Sequence, residues 1–122
     1  MILAFDSMTG NTKRFVQKVV KSTGIKTLEI RKISEDTVLE EDFVLVTHTF
    51  GKGQVPESTR KFLMKNSGRL RAVSSSGSVH WGANFGKAAD ILSVEYTVPI
   101  LAKFNKSGHT EDVDKVSGWL IA

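Results

Sequence analysis

The sequence predicts an α/β domain built on a doubly wound, five-stranded parallel sheet of order 2-1-3-4-5, with helices on both faces. Three observations carry this expectation. Short apolar runs alternate with amphipathic stretches of helical period, as parallel βαβ units require, and right-handed crossovers then distribute the helices over both faces. No repeat, linker or low-complexity segment interrupts that alternation. The 122 residues fit one domain, residues 1–122, and a chain of this size buries about two-thirds of its unfolded surface without disulfides or metals.

The elements follow in order. Ile2 to Phe5, closed by Asp-Ser, reads as the first strand. Thr12, Phe15, Val16, Val19 and Val20 recur at the spacing of one helix face, and Gly24 ends that helix. Lys26 to Ile30 alternates polar and apolar residues like a half-exposed edge strand, and Phe43 to Val46 reads as a buried strand. The next loop runs to Gln54 with two glycines. Pro56 stands where a first helical turn tolerates it, opening a helix to about Lys65 that Asn66-Ser67-Gly68 closes. Leu70 to Val73 begins the fourth strand. Phe85, Ala88, Ala89 and Leu92 form a third helical stripe, and Val98 to Ala102 is the fifth strand. Val113, Val116 and Leu120 mark a last helix capped near Thr110, with Trp119 on its core side.

Composition narrows the chemistry. Hydrophobic residues make up 40% and charged residues 25%, the balance of an ordinary soluble globule. No apolar run approaches the roughly 20 residues of a membrane helix, and the N-terminus reaches Asp6 without a basic region, so it does not read as a secretory signal. A cytoplasmic protein is expected. With no cysteine, thiol redox chemistry, disulfides and iron–sulfur clusters are excluded, and any redox activity must sit on a bound organic cofactor. The net charge of +4 is spread along the chain without a block of five like charges. An acidic protein partner therefore suits it better than nucleic acid.

In an open parallel sheet, ligands bind outside the carboxyl ends of the strands at the switch point, here between strands one and three. The loops after strands one, three and four meet there. The first, Ser7-Met8-Thr9-Gly10-Asn11-Thr12, sets hydroxyls, an amide and a glycine at the entrance to a helix. Such an N-terminus offers free N–H groups and partial positive charge to a phosphate. It carries neither the Gly-Lys-Ser/Thr of a P-loop nor a G-x-G-x-x-G fingerprint. A plain N-cap and polar turn would use the same residues, but the position directly after strand one favours phosphate. The second loop, Thr47 to Gln54, flanks Lys52 with Gly51 and Gly53, a mobile backbone able to reorient beside a ligand. The third, Ser74 to Gly82, contains Trp81, which either caps the core or stacks on an aromatic ring. Asp6 suits either the core edge or the site. His48, His80 and His109 share no metal spacing, and no Ser–His–Asp set can be argued.

At these loops the sequence resembles a known family. Residues 7–12 are similar to the flavodoxin phosphate loop, Ser/Thr-x-Thr-Gly-x-Thr. More narrowly, Asp6 to Asn11, Phe15, Gly51-Lys52-Gly53-Gln54-Val55-Pro56, Ser76-Gly77, Trp81-Gly82, Phe85-Gly86, Val98-Pro99 and Lys103-Phe104 match, in order and spacing, the NrdI family. These are the flavodoxin-like stimulatory proteins of class Ib ribonucleotide reductase. One position departs: Ser78 stands where members commonly carry Asn.

The resemblance implies non-covalently bound FMN and no resident metal. It implies docking on the reductase small subunit, and an electron donor in the form of a reductase or a reduced small redox protein. It also implies delivery of an oxidant, superoxide, made from reduced flavin and O2 to assemble the partner's dimanganese–tyrosyl radical. By position, Ser7, Met8, Thr9, Gly10, Asn11 and Thr12 would hold the phosphate. Thr47, Thr49, Gly51, Lys52 and Gly53 would line the flavin, and Ser76, Gly77 and Trp81 would close the other side. The basic balance, unlike that of ordinary acidic flavodoxins, would favour an anionic reduced flavin. Two rivals share the fold: a general electron-transfer flavodoxin, and a flavin-free interaction domain.

Overall fold

The computed structural model describes residues 1–6 and 10–122. Five strands form one parallel sheet of order β2-β1-β3-β4-β5: β1 (Ile2–Phe5), β2 (Glu29–Lys32), β3 (Phe43–His48), β4 (Leu70–Gly77) and β5 (Ile100–Asn105). The helices are α1 (Asn11–Thr23), α2 (Glu57–Asn66), α3 (Lys87–Tyr96) and α4 (Thr110–Ile121).

The period-two alternation of strand side chains sorts the core into two layers. Ile2 and Ala4 of β1, Phe43 and Leu45 of β3, and Leu70 and Val73 of β4 pack on Phe62 and Leu63 of α2 and on Ala88, Ala89 and Leu92 of α3. Leu3 and Phe5, Val44 and Val46, and Ala102 and Phe104 face Phe15, Val16 and Val19 of α1 and Val113 and Val116 of α4. A parallel sheet covered on both faces needs near-continuous apolar strands, which is why β1 and the first five residues of β3 are wholly buried. Trp119 is half-buried against the α1/α4 layer.

The observed elements run differently from the sequence reading at five places. The edge strand β2 lies at Glu29–Lys32, later than Lys26 to Ile30, because β1 is only four residues long and pairs Ile2 to Phe5 with Glu29 to Lys32. β3 extends to His48. β4 continues through Ser74, Ser75, Ser76 and Gly77 instead of ending at Val73, since these residues pair with Val46 to His48 on one side and with Ala102 to Asn105 on the other. β5 correspondingly starts at Ile100. Phe85 ends the 3₁₀ segment Val79–Asn84 rather than starting α3. At α4 the cap is His109, whose side chain and that of Asp112 form a reciprocal capping box.

Polar staples hold the chain between elements. Buried Asn66, at the end of α2, accepts from the Leu39 amide at 2.8 Å and donates to the Thr37 and Phe62 carbonyls, both at 2.8 Å. Among the described residues no helix is long and apolar enough to cross a membrane.

Phe15 and Phe104 stack with centroids 3.9 Å apart and planes 9° from parallel, and Gly108 lies against them. Its φ is +83°, and an added Cβ would fall 2.6 Å from Phe15 Cδ1. Gly24 shares a positive φ of +65° but has open space around it. Gly24→Ala should therefore cost only the left-handed conformation, about 1–2 kcal/mol. Gly108→Ala adds overpacking of the ring stack and should cost about 2–4 kcal/mol, read as the shift in urea unfolding midpoint.

Candidate functional site

The C-terminal edge of the sheet carries a hollow of about 370 Å³, lined by Asn11, His48, Thr49, Phe50, Gly51, Ser76, Gly77, Ser78, Trp81, Asn105 and Lys106. Its volume is within the roughly 300–1,000 Å³ of small-molecule sites. A second hollow of similar size at the other end of the sheet, between Met1, Ile25, Leu28 and Trp119, lies away from every strand-end loop. The strand-end hollow is the candidate because the parallel topology converges its polar groups there.

Each wall has a local cause. β3 ends in His48, and the chain then reverses. Phe50 and Gln54 exchange two backbone hydrogen bonds of 2.7 Å, and the Gly53 amide donates to the Phe50 carbonyl at 3.2 Å. This tight turn puts Gly51 at φ +53° and Gly53 at φ +97°, conformations that glycine adopts without strain. The segment expected as an open, mobile loop is thus closed by its own backbone. Opposite it, Trp81 rides on the 3₁₀ segment, whose Gly82 breaks the helical run at φ +56°, ψ −122°. Phe50 is 48% and Trp81 40% exposed, so two aromatic faces stand at the rim with room for a planar ring between polar walls. Gly10, with φ +87°, caps α1, and Asn11 is its first residue.

Beneath the hollow lies a buried network centred on Asp6, just past the end of β1. Its carboxylate Oδ2 accepts from Ser58 Oγ at 2.5 Å and Thr59 Oγ1 at 2.7 Å, both in the first turn of α2. The positive end of that helix favours the anion. Its main-chain carbonyl accepts from Thr12 Oγ1 at 2.9 Å and faces His48 Nδ1 at 3.4 Å. Asp6, which suited either core edge or site, belongs to the support of the site.

The sequence-derived candidates separate accordingly. Asn11, Thr49, Gly51, Ser76, Gly77 and Trp81 come together around the hollow. Thr49 Oγ1 also accepts from the Ala88 amide at 3.3 Å, and Ser75 Oγ bridges the Gly86 carbonyl and the Ala89 amide at 2.7 and 3.0 Å. A β4 side chain and the residue just past β3 thus serve the N-terminus of α3, whose own cap is glycine. Thr12 and Thr47 are buried away from the hollow. Thr12 binds Asp6, and Thr47 Oγ1 shares a 2.8 Å hydrogen bond with Thr59 Oγ1. Lys52 and Gly53 lie on the turn but outside its lining, with Gly53 against Asn84 and Lys87. Ser7, Met8 and Thr9 lie outside the described residues.

Sequence reasoning passed over Phe50, Asn105 and Lys106 and weighed His48 only as a metal ligand. Asn105 ends β5 and Lys106 follows it, and the same strand-end rule that selected the other loops would have pointed to them. Among the described residues no group of three or more His, Asp or Glu could hold a metal.

The Asp6 network yields a stability prediction. Asp6→Ala strands two hydroxyls at the start of α2 and should lower stability by about 1–3 kcal/mol. Asp6→Asn keeps an acceptor oxygen and should cost less, as equilibrium urea unfolding will show.

Comparison with known proteins places these features in context. A family model described as NrdI flavodoxin-like matches residues 3–118. The chain is 40% identical over 119 residues to the NrdI protein of Deinococcus radiodurans, covering 98% of this chain and 82% of that one. It is 46% identical over 112 residues to the NrdI protein of Bacillus licheniformis, covering 92% and 81%. In structure it resembles a short-chain flavodoxin associated with a non-canonical PDU bacterial microcompartment. The TM-score there is 0.76 at 17% identity, over 97% of this chain and 91% of the other, a likeness of fold.

Proposed function

The chain belongs to the NrdI flavodoxin-like family, and on that premise we propose that it is a single cytoplasmic FMN-binding domain that activates the small subunit of a class Ib ribonucleotide reductase. The observation that carries the reading is the hollow at the strand ends, with two aromatic faces at its rim and hydroxyl, amide and imidazole groups along its walls. An apolar planar ring with a polar tail fits that donor set. Aromatic faces take the ring by stacking, and the polar groups fix its orientation.

In this reading residues 7–11 hold the phosphate, with Gly10 and Asn11 at the α1 N-terminus, where partial positive charge suits an anion. Thr49, Gly51, Ser76, Gly77 and Trp81 surround the ring, while Thr12 and Thr47 position the strand ends through their buried hydrogen bonds. Lys52 and Gly53 shape the turn. Bound FMN, kept reduced by a reductase or small redox protein, would supply the electron chemistry that turns O2 into superoxide. That oxidant serves the dimanganese–tyrosyl radical of the partner, which holds the metal. The chain's part is to keep one edge of the hollow open to O2 and to the partner, and to contribute positive charge through Lys106 at the wall.

Titration with FMN, followed by visible absorbance, is expected to saturate at a single site. Trp81→Ala should weaken that binding about two- to twelve-fold, the equivalent of roughly 0.5–1.5 kcal/mol of lost stacking. Reduced, FMN-loaded protein exposed to O2 with the manganese-loaded small subunit should generate tyrosyl radical above a flavodoxin control. FMN binding without that radical would identify a general electron carrier. A chain that takes up no FMN would be a flavin-free interaction domain.

A further inference from the structure

We propose that His48 is a ligand-specificity residue whose Nε2 accepts a hydrogen bond from a ribityl hydroxyl; this deepens, and rests on, the FMN reading above. His48 ends β3 and forms part of the hollow's wall. Its two ring nitrogens are in different situations. Nδ1 faces the Asp6 main-chain carbonyl at 3.4 Å, and a carbonyl only accepts, so Nδ1 carries the proton. In the neutral ring that leaves Nε2 as a bare acceptor. Nε2 is shielded from water and has no hydrogen-bond partner among the described residues. Buried polar atoms are nearly always paired, so an orphan on a ring that lines a binding hollow marks a missing donor, which meets Nε2 once the imidazole tilts toward the hollow.

The chemistry of the donor follows from position. His48 pairs with Ser76 across the sheet and shares the hollow with Asn11 at the start of α1 and with Gly51 and Trp81 at the far side. A ligand with its phosphate at α1 and its ring beside Gly51 and Trp81 must carry its linker over the end of β3. In FMN that linker is a polyol, a row of hydroxyl donors. The phosphate dianion offers no donor, and the ring's N–H belongs to the opposite end of the molecule.

The test compares three probes, FMN, riboflavin and lumiflavin, the last lacking the ribityl chain. His48→Phe keeps an aromatic ring but removes the acceptor. It should weaken FMN and riboflavin about two- to twelve-fold, as expected for one neutral hydrogen bond, and leave lumiflavin unchanged. His48→Gln can return an oxygen acceptor near the Nε2 position and should restore most of the loss. In wild-type protein selectively ¹⁵N-labelled at histidine, at a pH where the ring is neutral, the Nε2 resonance should move upfield on adding FMN while Nδ1 stays protonated. Equal weakening of all three probes by His48→Phe, or an Nε2 resonance indifferent to FMN, would overturn the assignment while leaving FMN binding intact. A wild-type chain that binds none of the three would overturn the FMN reading itself. If His48→Phe does not fold, the NMR titration and His48→Gln decide.

Discussion

Everything at the ligand end of this molecule is hung from Asp6. One residue past a four-residue strand, it receives hydroxyls from α2 on its carboxylate, and on its carbonyl a hydroxyl from α1 with the β3 imidazole close by. A carboxylate withdrawn from water is tolerated only when its lone pairs are filled. Here α2 fills the carboxylate, while α1 and the end of β3 meet the main-chain carbonyl of the same residue, so satisfying the charge and aligning the strand ends fall to one position. Charge-assisted hydrogen bonds are also the stronger kind, which makes this a stiff junction in a place where a switch point leaves the sheet open.

The same economy recurs at α3. Neither α2 nor α3 has a capping side chain at its own N-cap, which is Pro56 in one and Gly86 in the other. Both are served by residues at or just past the strand ends: Asp6 at α2 through Ser58 and Thr59, and Thr49 with Ser75 at α3. Helix starts are thereby registered to strand ends by hydrogen bonding as well as by packing. The loops that leave those strands inherit a defined origin, a precondition for a site built at loop bases.

The fold was legible because its signals are local. Apolar alternation in β1 and β3 and the helical stripes at Phe15, Val16 and Val19 and at Ala88, Ala89 and Leu92 state which faces are buried. What stayed hidden depended on partners distant in sequence. The serine run after Val73 reads as a loop by composition, yet its backbone pairs on both sides and Ser75 finds α3 eleven and fourteen residues away. Thr47 and Thr12 carry the residue types of a binding loop, but buried acceptors had already claimed their hydroxyls. For the site, the strand-end rule found most of the lining. The exceptions are Phe50 in the turn after β3, Asn105 and Lys106 at the end of a strand that reads from sequence as stopping at Ala102, and His48, whose importance lies in an unpaired nitrogen that no spacing pattern can reveal.

Gly77 and Gly86 meet backbone to backbone. A Cβ on the first would lie 2.7 Å from the amide nitrogen of the second, and a Cβ on Gly86 would lie 2.8 Å from the Cβ of Lys103, a residue itself tied to Asp90 at 2.9 Å. The eight residues between these glycines are therefore slung like a hammock from two posts that cannot shift. Exchanges along the sling, Ser78 and Trp81 included, can retune what the protein presents to a visitor without tugging on the sheet. Exchanges at the posts would move both ends together. Freedom and constraint in this region are thus segregated by a pair of missing methyl groups.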